Sequence, residues 1–292
     1  MPELPEVEVV RRGLDPHVTG AIIESAEVLH PRVTRRNTGN FVHQVSGARI
    51  SHISRRGKYL WFVLDQPHAI VAHLGMSGQF RINQIDPPGN GFNPHTRLTM
   101  WLRSAGAPVQ LAFVDQRTFG GLHVSPCSDV GSGEVLPESV RHIARDPLDP
   151  LFDPDLYVQR ALSKSVAIKR VLLDQTLMSG VGNIYADEAL FRAGVHGDIR
   201  ADSLSATAMH ELVSEVTTVM NEALEEGGTS FDALYVHVNG ESGYFSRSLA
   251  VYGREGQPCD RCGQPISRTQ FMNRSSYFCA VCQPLSRAVA SQ

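Results

Sequence analysis

The first half of the chain carries short apolar segments at 58–64 (KYLWFVL), 69–74 (AIVAHL), 97–103 (RLTMWLR) and 109–114 (VQLAFV). Several alternate apolar and polar residues, the period of half-buried antiparallel strands. Turn-rich stretches separate them, notably Asp86-Pro87-Pro88-Gly89-Asn90-Gly91. A single helix is expected ahead of the strands, over 5–13 (PEVEVVRRG), with Pro5 near its start and Gly13 as its stop. The pattern predicts a β-sandwich or flattened barrel led by one helix. After about residue 125 the pattern changes. Segment 128–135 (SDVGSGEV) is rich in Gly and Ser, and Asp146-Pro147, Asp149-Pro150 and Asp153-Pro154 follow it, which reads as a linker and hinge. Beyond it the period is helical. Leu212, Val216, Val219, Met220, Ala223 and Leu224 recur at helix spacing within 203–226, closed by Gly227-Gly228, and 154–163, 166–178 and 184–193 read as further helices. The expected architecture is α+β in two domains: an antiparallel sandwich over 1–127, a linker at 128–150, a helical region over 151–245 and a cysteine-bearing module over 246–292.

Composition narrows the class. With 292 residues, 42% of them hydrophobic and 20% charged, the chain has enough apolar material for two ordinary cores. The acidic start lacks the apolar stretch of a signal peptide and no run reaches a bilayer-spanning length, so a cytosolic protein is expected. A net charge of −3 argues against a polyanionic partner, but its distribution argues for one. Six Arg and two acids (Glu255, Asp260) fall between Arg247 and Gln292, whereas eight acids and only Arg200 fall between Asp198 and Asp232. One face can therefore bind an anion although the total is nearly neutral. Lysine is scarce: Lys58, Lys164 and Lys169 stand against 24 Arg.

Three local patterns carry chemistry. Cys259-x2-Cys262-x16-Cys279-x2-Cys282 matches a four-thiolate zinc site, closed to water and hence structural. Disulfides are the alternative, which a reducing cytosol disfavours. The intervening 266–277 reads as a β-hairpin able to present Arg to nucleic acid, and Cys127 has no partner by spacing. At the other end, Pro2 follows the initiator Met1, whose removal would leave a free secondary amine. Such an amine titrates near ~8, attacks aldehyde-level carbons and yields an iminium electron sink, with Glu3 beside it as a proton donor. Finally, Gly180 and Gly182 precede Asn183, a candidate cap for a helix from Ile184. That turn suits either a phosphate at the helix start or simple close packing of two helices.

Taken in order, PELPEVE at 2–8, RRGKYL at 55–60, HLGMSG at 73–78, DQRTFGG at 115–121, DQTLMSGVGNIYADEALF at 174–191, VYGREGQPC at 251–259 and the four-Cys module resemble the formamidopyrimidine-DNA glycosylase family, which also contains the endonuclease VIII enzymes. The resemblance runs end to end. It implies a catalytic β-sandwich hinged to a helix–two-turn–helix domain with a zinc-finger hairpin. It implies removal of oxidised purines from duplex DNA during base-excision repair, followed by β,δ-elimination at the abasic site through an iminium on Pro2. By the same resemblance Glu3 and Lys58 act with Pro2, and Glu6, expected in the same loop, lies near the damaged base. His73, Lys169, Asn183 and Arg274 resemble the DNA-binding residues, with Lys169 tied to oxidised purines. Met76, Arg117 and Phe119 match residues that fill the gap left by an everted base, Arg117 facing the orphaned cytosine. The implied cofactor is one structural zinc ion and no organic group. The implied partner is damaged double-stranded DNA, bound by a monomer in the cytoplasm at the nucleoid.

The chain departs from the family at Thr118, where a second Arg is common, and in a long 86–96 loop with no assigned role. The lesion-capping loop, expected within 227–243, reads GGTSFDALYVHVNGESG, so its base contacts do not carry over. Three other readings compete: an oxidised-pyrimidine glycosylase, a non-catalytic damage-binding paralogue, and a zinc-ribbon transcription module. HLGMSG with the Arg117/Phe119 pair favours the purine branch, retention of Pro2, Glu3 and Lys58 speaks against the paralogue, and a ribbon module has no need of residues 2–8.

Overall fold

The computed structural model describes residues 2–84, 93–104, 108–129, 131, 134–228 and 248–285. These divide into two compact units, 2–142 with 226–228 and 143–225 with 248–285.

The first unit opens with helix α1 (Leu4–Val18). Glu3 caps it in a reciprocal box: the Glu3 side chain accepts from the Glu6 N–H, and the Glu3 N–H donates to Glu6 Oε2 at 2.8 Å. The helix passes Gly13, where the sequence predicts a stop. Leu14 and Val18 continue the stripe begun by Leu4, Val7 and Val10, and all five are buried, so packing outweighs the glycine penalty. Two antiparallel sheets follow. One runs β1 (Ile22–Val28), β6 (Thr96–Arg103), β7 (Val109–Asp115), β5 (Gly78–Gln84). The other runs β2 (Ile50–Arg56), β3 (Tyr59–Leu64), β4 (His68–His73), β8 (Gly121–Asp129), β9 (Val135–Pro137). A short helix α2 (Phe41–Val45), capped by Asn40, lies between β1 and β2 in sequence. The two inner faces share one core, including Ile23, Leu98 and Phe113 from the first sheet and Ile50, Leu60 and Ile70 from the second. Phe62 and Phe80 meet across it edge to face at 5.6 Å. The sandwich is as the strand pattern predicts. The expected linker differs: β8 runs to Asp129, and Cys127–Asp129 pairs with Val135–Pro137, so pairing continues into the Gly/Ser-rich stretch.

The second unit contains α3 (Pro154–Leu162), α4 (Ile168–Leu172), α5 (Asn183–Arg192) and α6 (Ala206–Glu225), then the hairpin β10 (Ser267–Phe271) and β11 (Arg274–Phe278). Helix α6 buries Leu212, Val216, Val219 and Met220 and packs on α3 and α5. The single helix expected over 166–178 is broken after Leu172. Asp174 Oδ1 accepts from the Thr176 N–H at 2.9 Å and hydroxyl at 2.7 Å, a local turn that competes with helix propagation. Two neighbouring buried acids on α5 fasten the hairpin module. Glu188 accepts from the N–H groups of Ala250, Val251 and Tyr252 at 2.8–2.9 Å, and Asp187 accepts from the Tyr277 N–H at 3.0 Å. No helix among the described residues is long and apolar enough to cross a membrane.

Candidate active site and nucleic-acid interface

Strand register collects the N-terminal candidates at one end of the sandwich. Tyr59 pairs with His73, and His73 with Gly121, so the 57–58 turn, the 74–78 turn and the 115–121 loop leave the sheet side by side. Helix α1 is pinned to the same end, because Glu8 Oε2 accepts from Arg55 Nε at 3.0 Å and Arg55 Nη1 donates to the Gly57 carbonyl at 3.2 Å. Burial pushes the Glu8 carboxyl up, but pairing with Arg11, Arg55 and Arg12 outweighs it and leaves its pKa at about 2. Pro2, Glu3, Glu6 and Lys58 are all buried. Glu6 lies in the first turn of α1, not in a loop, and a side chain on Gly228 (φ +84) would come within 3.2 Å of its Oε1.

His73 is surrounded by cations. Burial, then Arg36, Lys58 and Arg35, lower its pKa to about 4, so it is neutral at physiological pH. Its Nδ1 accepts from the Gly75 N–H at 3.1 Å, which leaves Nε2 to carry the ring proton as a donor. The adjoining hollow is lined by Arg35, Arg36, His73, Phe119 and His123, an electropositive depression suited to an anion.

Beside it, two loops touch backbone to backbone. A methyl on Gly75 (φ +65) would lie 2.5 Å from the Gly120 nitrogen, so only glycine permits the approach. The tips of these loops carry Met76, Arg117 and Phe119. Met76 is 42% and Phe119 47% exposed, Arg117 is exposed, and Arg117 Nη1 lies 3.9 Å from Met76 Sδ. Sequence reasoning missed the residues underneath. Asp115, 1% exposed, accepts from Ser77 Oγ at 2.6 Å, the Arg117 N–H at 3.2 Å and the Gly120 N–H at 2.7 Å. Arg35 donates to the carbonyls of Phe119 and Gly120, both at 2.9 Å. The Asp at the end of an apolar strand, just before a Gly-containing loop, was the available signal for the first; Arg35 had none.

In the second unit, the four thiols of Cys259, Cys262, Cys279 and Cys282 lie within 4.8 Å of one another. The Cys259–Cys282 and Cys262–Cys279 sulfurs are 3.9 and 3.5 Å apart, against about 3.8 Å for the edge of a tetrahedron with Zn–S near 2.3 Å and about 2.0 Å for a disulfide. The donor set fits one structural zinc ion. Asn183 opens α5, but Gly182 is its cap; the Asn183 amide Nδ2 donates instead to the Ser275 carbonyl at 2.7 Å. Arg274 is exposed at the start of β11, beside a groove lined by Arg268, Gln270 and Asn273. Lys169 differs from its expected DNA-facing place. Its side chain is 0% exposed, and its Nζ lies 2.6 Å from Asp187 Oδ1 and 2.8 Å from Ser276 Oγ, with the Phe271 ring centroid 5.1 Å away. The ammonium thus ties α4 to α5 and to the hairpin strand carrying Arg274. Burial pushes the Asp187 carboxyl up to about 6, against the opposing pull of Lys169.

Comparison with known proteins accounts for both units. Family models described as the formamidopyrimidine-DNA glycosylase N-terminal domain and H2TH domain match residues 1–122 and 143–233, and a zinc finger found in such glycosylases and in isoleucyl-tRNA synthetases matches 256–285. A formamidopyrimidine-DNA glycosylase from Nocardioides sp. is 56% identical over 290 residues, spanning 98% of this chain and 96% of that one. The chain belongs to the formamidopyrimidine-DNA glycosylase family. The Rhodococcus erythropolis glycosylase is 54% identical over 99% of both chains. The Thermus thermophilus glycosylase superposes with a TM-score of 0.81 at 36% identity, covering 97% of this chain and 98% of that one. A Lactococcus lactis glycosylase bound to abasic-site DNA superposes with a TM-score of 0.82 at 31% identity over 97% and 99% of the chains. As a member of this family, the chain is a base-excision repair enzyme with abasic-site lyase activity. Within this formamidopyrimidine-DNA glycosylase framework, Glu3, Glu6, Lys58, His73, Met76, Arg117 and Phe119 occupy the first unit, and Lys169, Asn183, Arg274 and the zinc ligands the second. Met1, most of the 86–96 loop and most of the 227–243 segment lie outside the described residues.

Proposed function

We propose that the enzyme excises oxidised purines, 8-oxoguanine and formamidopyrimidines, from duplex DNA with Pro2 as the nucleophile, and acts as a monomer on chromosomal DNA in the cytoplasm. The observation that carries this is the exposed Met76–Arg117–Phe119 tip at the same end of the sandwich as the start of α1. Exposed apolar side chains beside a cation suit a duplex opened by eversion of one nucleotide, which costs a few kcal/mol to unstack. Arg117 then faces the orphaned cytosine, and Met76 and Phe119 fill the vacated space.

With Met1 removed, the Pro2 amine attacks C1′ and the glycosidic electron pair leaves with the base, which takes a proton from Glu3. Glu3 takes the amine proton and passes it to O4′ as the C1′–O4′ bond breaks, which opens the ring to an iminium; this acidifies C2′, loss of that proton expels the 3′ phosphate, and a second elimination expels the 5′ phosphate. Lys58 lies close enough to His73 to depress its ionisation, so both can serve the phosphate beside the lesion, one as a charge and one as a neutral donor. Asn183 and Arg274 grip the backbone through the second unit, and Glu6 lies near the damaged base. The zinc ion shapes the hairpin and takes no part in bond breaking. One chain supplies every group this scheme needs, which supports the monomer.

Borohydride should trap the mature protein covalently on 8-oxoguanine·cytosine duplex, and Pro2→Gly should lose both trapping and strand cleavage. Trapping by a protein that mass spectrometry shows to retain Met1 would refute the amine mechanism. Faster cleavage of thymine glycol than of 8-oxoguanine would assign the chain to the pyrimidine branch.

A further inference from the structure

Thr118 has φ +53, a left-handed conformation that a β-branched residue adopts only when its surroundings impose it. The surroundings are on either side. The N–H groups of Arg117 and Gly120 both point at the Asp115 carboxylate, which closes the 115–120 turn around the strained residue. The same carboxylate reaches the other loop through Ser77, whose hydroxyl donates to Asp115 Oδ1 and accepts from the Arg117 N–H at 3.1 Å. From the opposite side Arg35 holds the carbonyls of Phe119 and Gly120, and it also binds the Arg32 carbonyl at 2.9 Å. Met76 and Arg117 therefore project from two turns joined at one buried carboxylate, the second through its backbone N–H groups and the first through the Ser77 hydroxyl.

We propose that Asp115, acting through Ser77, is the positioning residue that locks Met76, Arg117 and Phe119 into one preformed wedge, and so sets how well the enzyme opens a paired lesion and reads the base opposite. This rests on the void-filling role given to those three side chains. Asp115 touches no substrate. Its contribution is to hold, before DNA arrives, an arrangement that would otherwise be ordered at the moment of binding. The carboxylate accepts charge-assisted bonds from two loops at once, which an amide of the same shape cannot reproduce, since its nitrogen only donates.

The test compares Asp115→Asn and Ser77→Ala with wild type on two duplexes, one with 8-oxoguanine paired to cytosine and one with a preformed abasic site. Borohydride trapping on the abasic duplex counts the active fraction of each preparation, and thermal unfolding reports its stability. An abasic site has no base to evert, so the wedge matters least there. Both variants should lose about tenfold in kcat/KM on the paired lesion, stay within about twofold on the abasic duplex, and discriminate less between cytosine and adenine opposite the lesion. Ser77→Ala keeps the carboxylate and the turn, so it serves if Asp115→Asn folds poorly. Equal losses on the two duplexes per active molecule, or undiminished excision by Ser77→Ala, would overturn the inference while leaving the proposed chemistry intact. A wild-type protein that neither traps nor cleaves would overturn both.

Discussion

Replacing Lys169 by Met tests whether this lysine holds the fold or touches DNA. The ammonium and the Asp187 carboxylate are 0% and 1% exposed and 2.6 Å apart, so removing one leaves the other without solvent to replace it. Breaking a buried pair from one side costs about 3–5 kcal/mol. Proton linkage sets a lower ceiling: the stranded Asp187 can take up a proton, and because the wild-type carboxyl already titrates at about 6, holding it neutral at pH 7 costs only about 1.4 kcal/mol more than in the wild type. The expected loss at pH 7 is therefore about 1–1.5 kcal/mol, and Lys169→Met with Asp187→Asn should restore at least half, because the amide still accepts from Tyr277. The pH dependence has a defined sign. A carboxyl whose folded pKa is raised binds a proton in the native state that the unfolded chain has released, so stability falls as pH rises from ~4 to the folded value. That decline ends near 6 in the wild type and continues higher in the variant, so the deficit widens between pH ~6 and ~8 and shrinks on acidification. Both tryptophans, Trp61 and Trp101, lie in the sandwich, so zinc release to a chromophoric chelator across a urea series is the appropriate readout for the second unit. A variant of unchanged stability whose DNA affinity falls, with a salt slope reduced by about one, would refute this reasoning and identify Lys169 as a phosphate contact.

Two further perturbations follow from the geometry. Stripping the metal from the four-thiolate site should release the hairpin and abolish duplex binding while the tryptophan emission of the sandwich stays unchanged; metal-free protein that still binds DNA at full affinity would contradict the finger's role. Gly75→Ala puts a methyl 2.5 Å from the Gly120 nitrogen at a positive φ, so thermal unfolding should show a loss above the ~1–2 kcal/mol of the backbone conformation alone, together with weakened excision of paired lesions; a neutral substitution would show that the two loops are not in close register.

What the sequence revealed depended on how local each cause is. The zinc site was legible because two Cys-x-x-Cys turns already confine four thiolates to short stretches of chain. The sandwich was legible where a strand alternates, as at 97–103, or forms a short apolar run, as at 58–64, and less so at β8, where pairing with β9 carries the strand into residues whose composition reads as linker. Gly13 failed as a stop because the apolar stripe beyond it is buried, a tertiary effect. Met76, Arg117 and Phe119 could be singled out by motif, but their common frame could not: Ser77 and Asp115 are 38 residues apart and meet only once β5 and β7 pair. Lys169 is the sharpest case. The family resemblance places it among the DNA-binding residues, and only packing reveals that its counter-charge lies within the protein.

The adjacent acids of α5 also bear on how such an enzyme can diversify. Asp187 secures the hairpin and Glu188 secures residues 250–252, so the finger is moored on both its approach and its return by a single helix. An enzyme that keeps these two acids keeps the seat of its hairpin on α5, whatever is exchanged elsewhere in the chain.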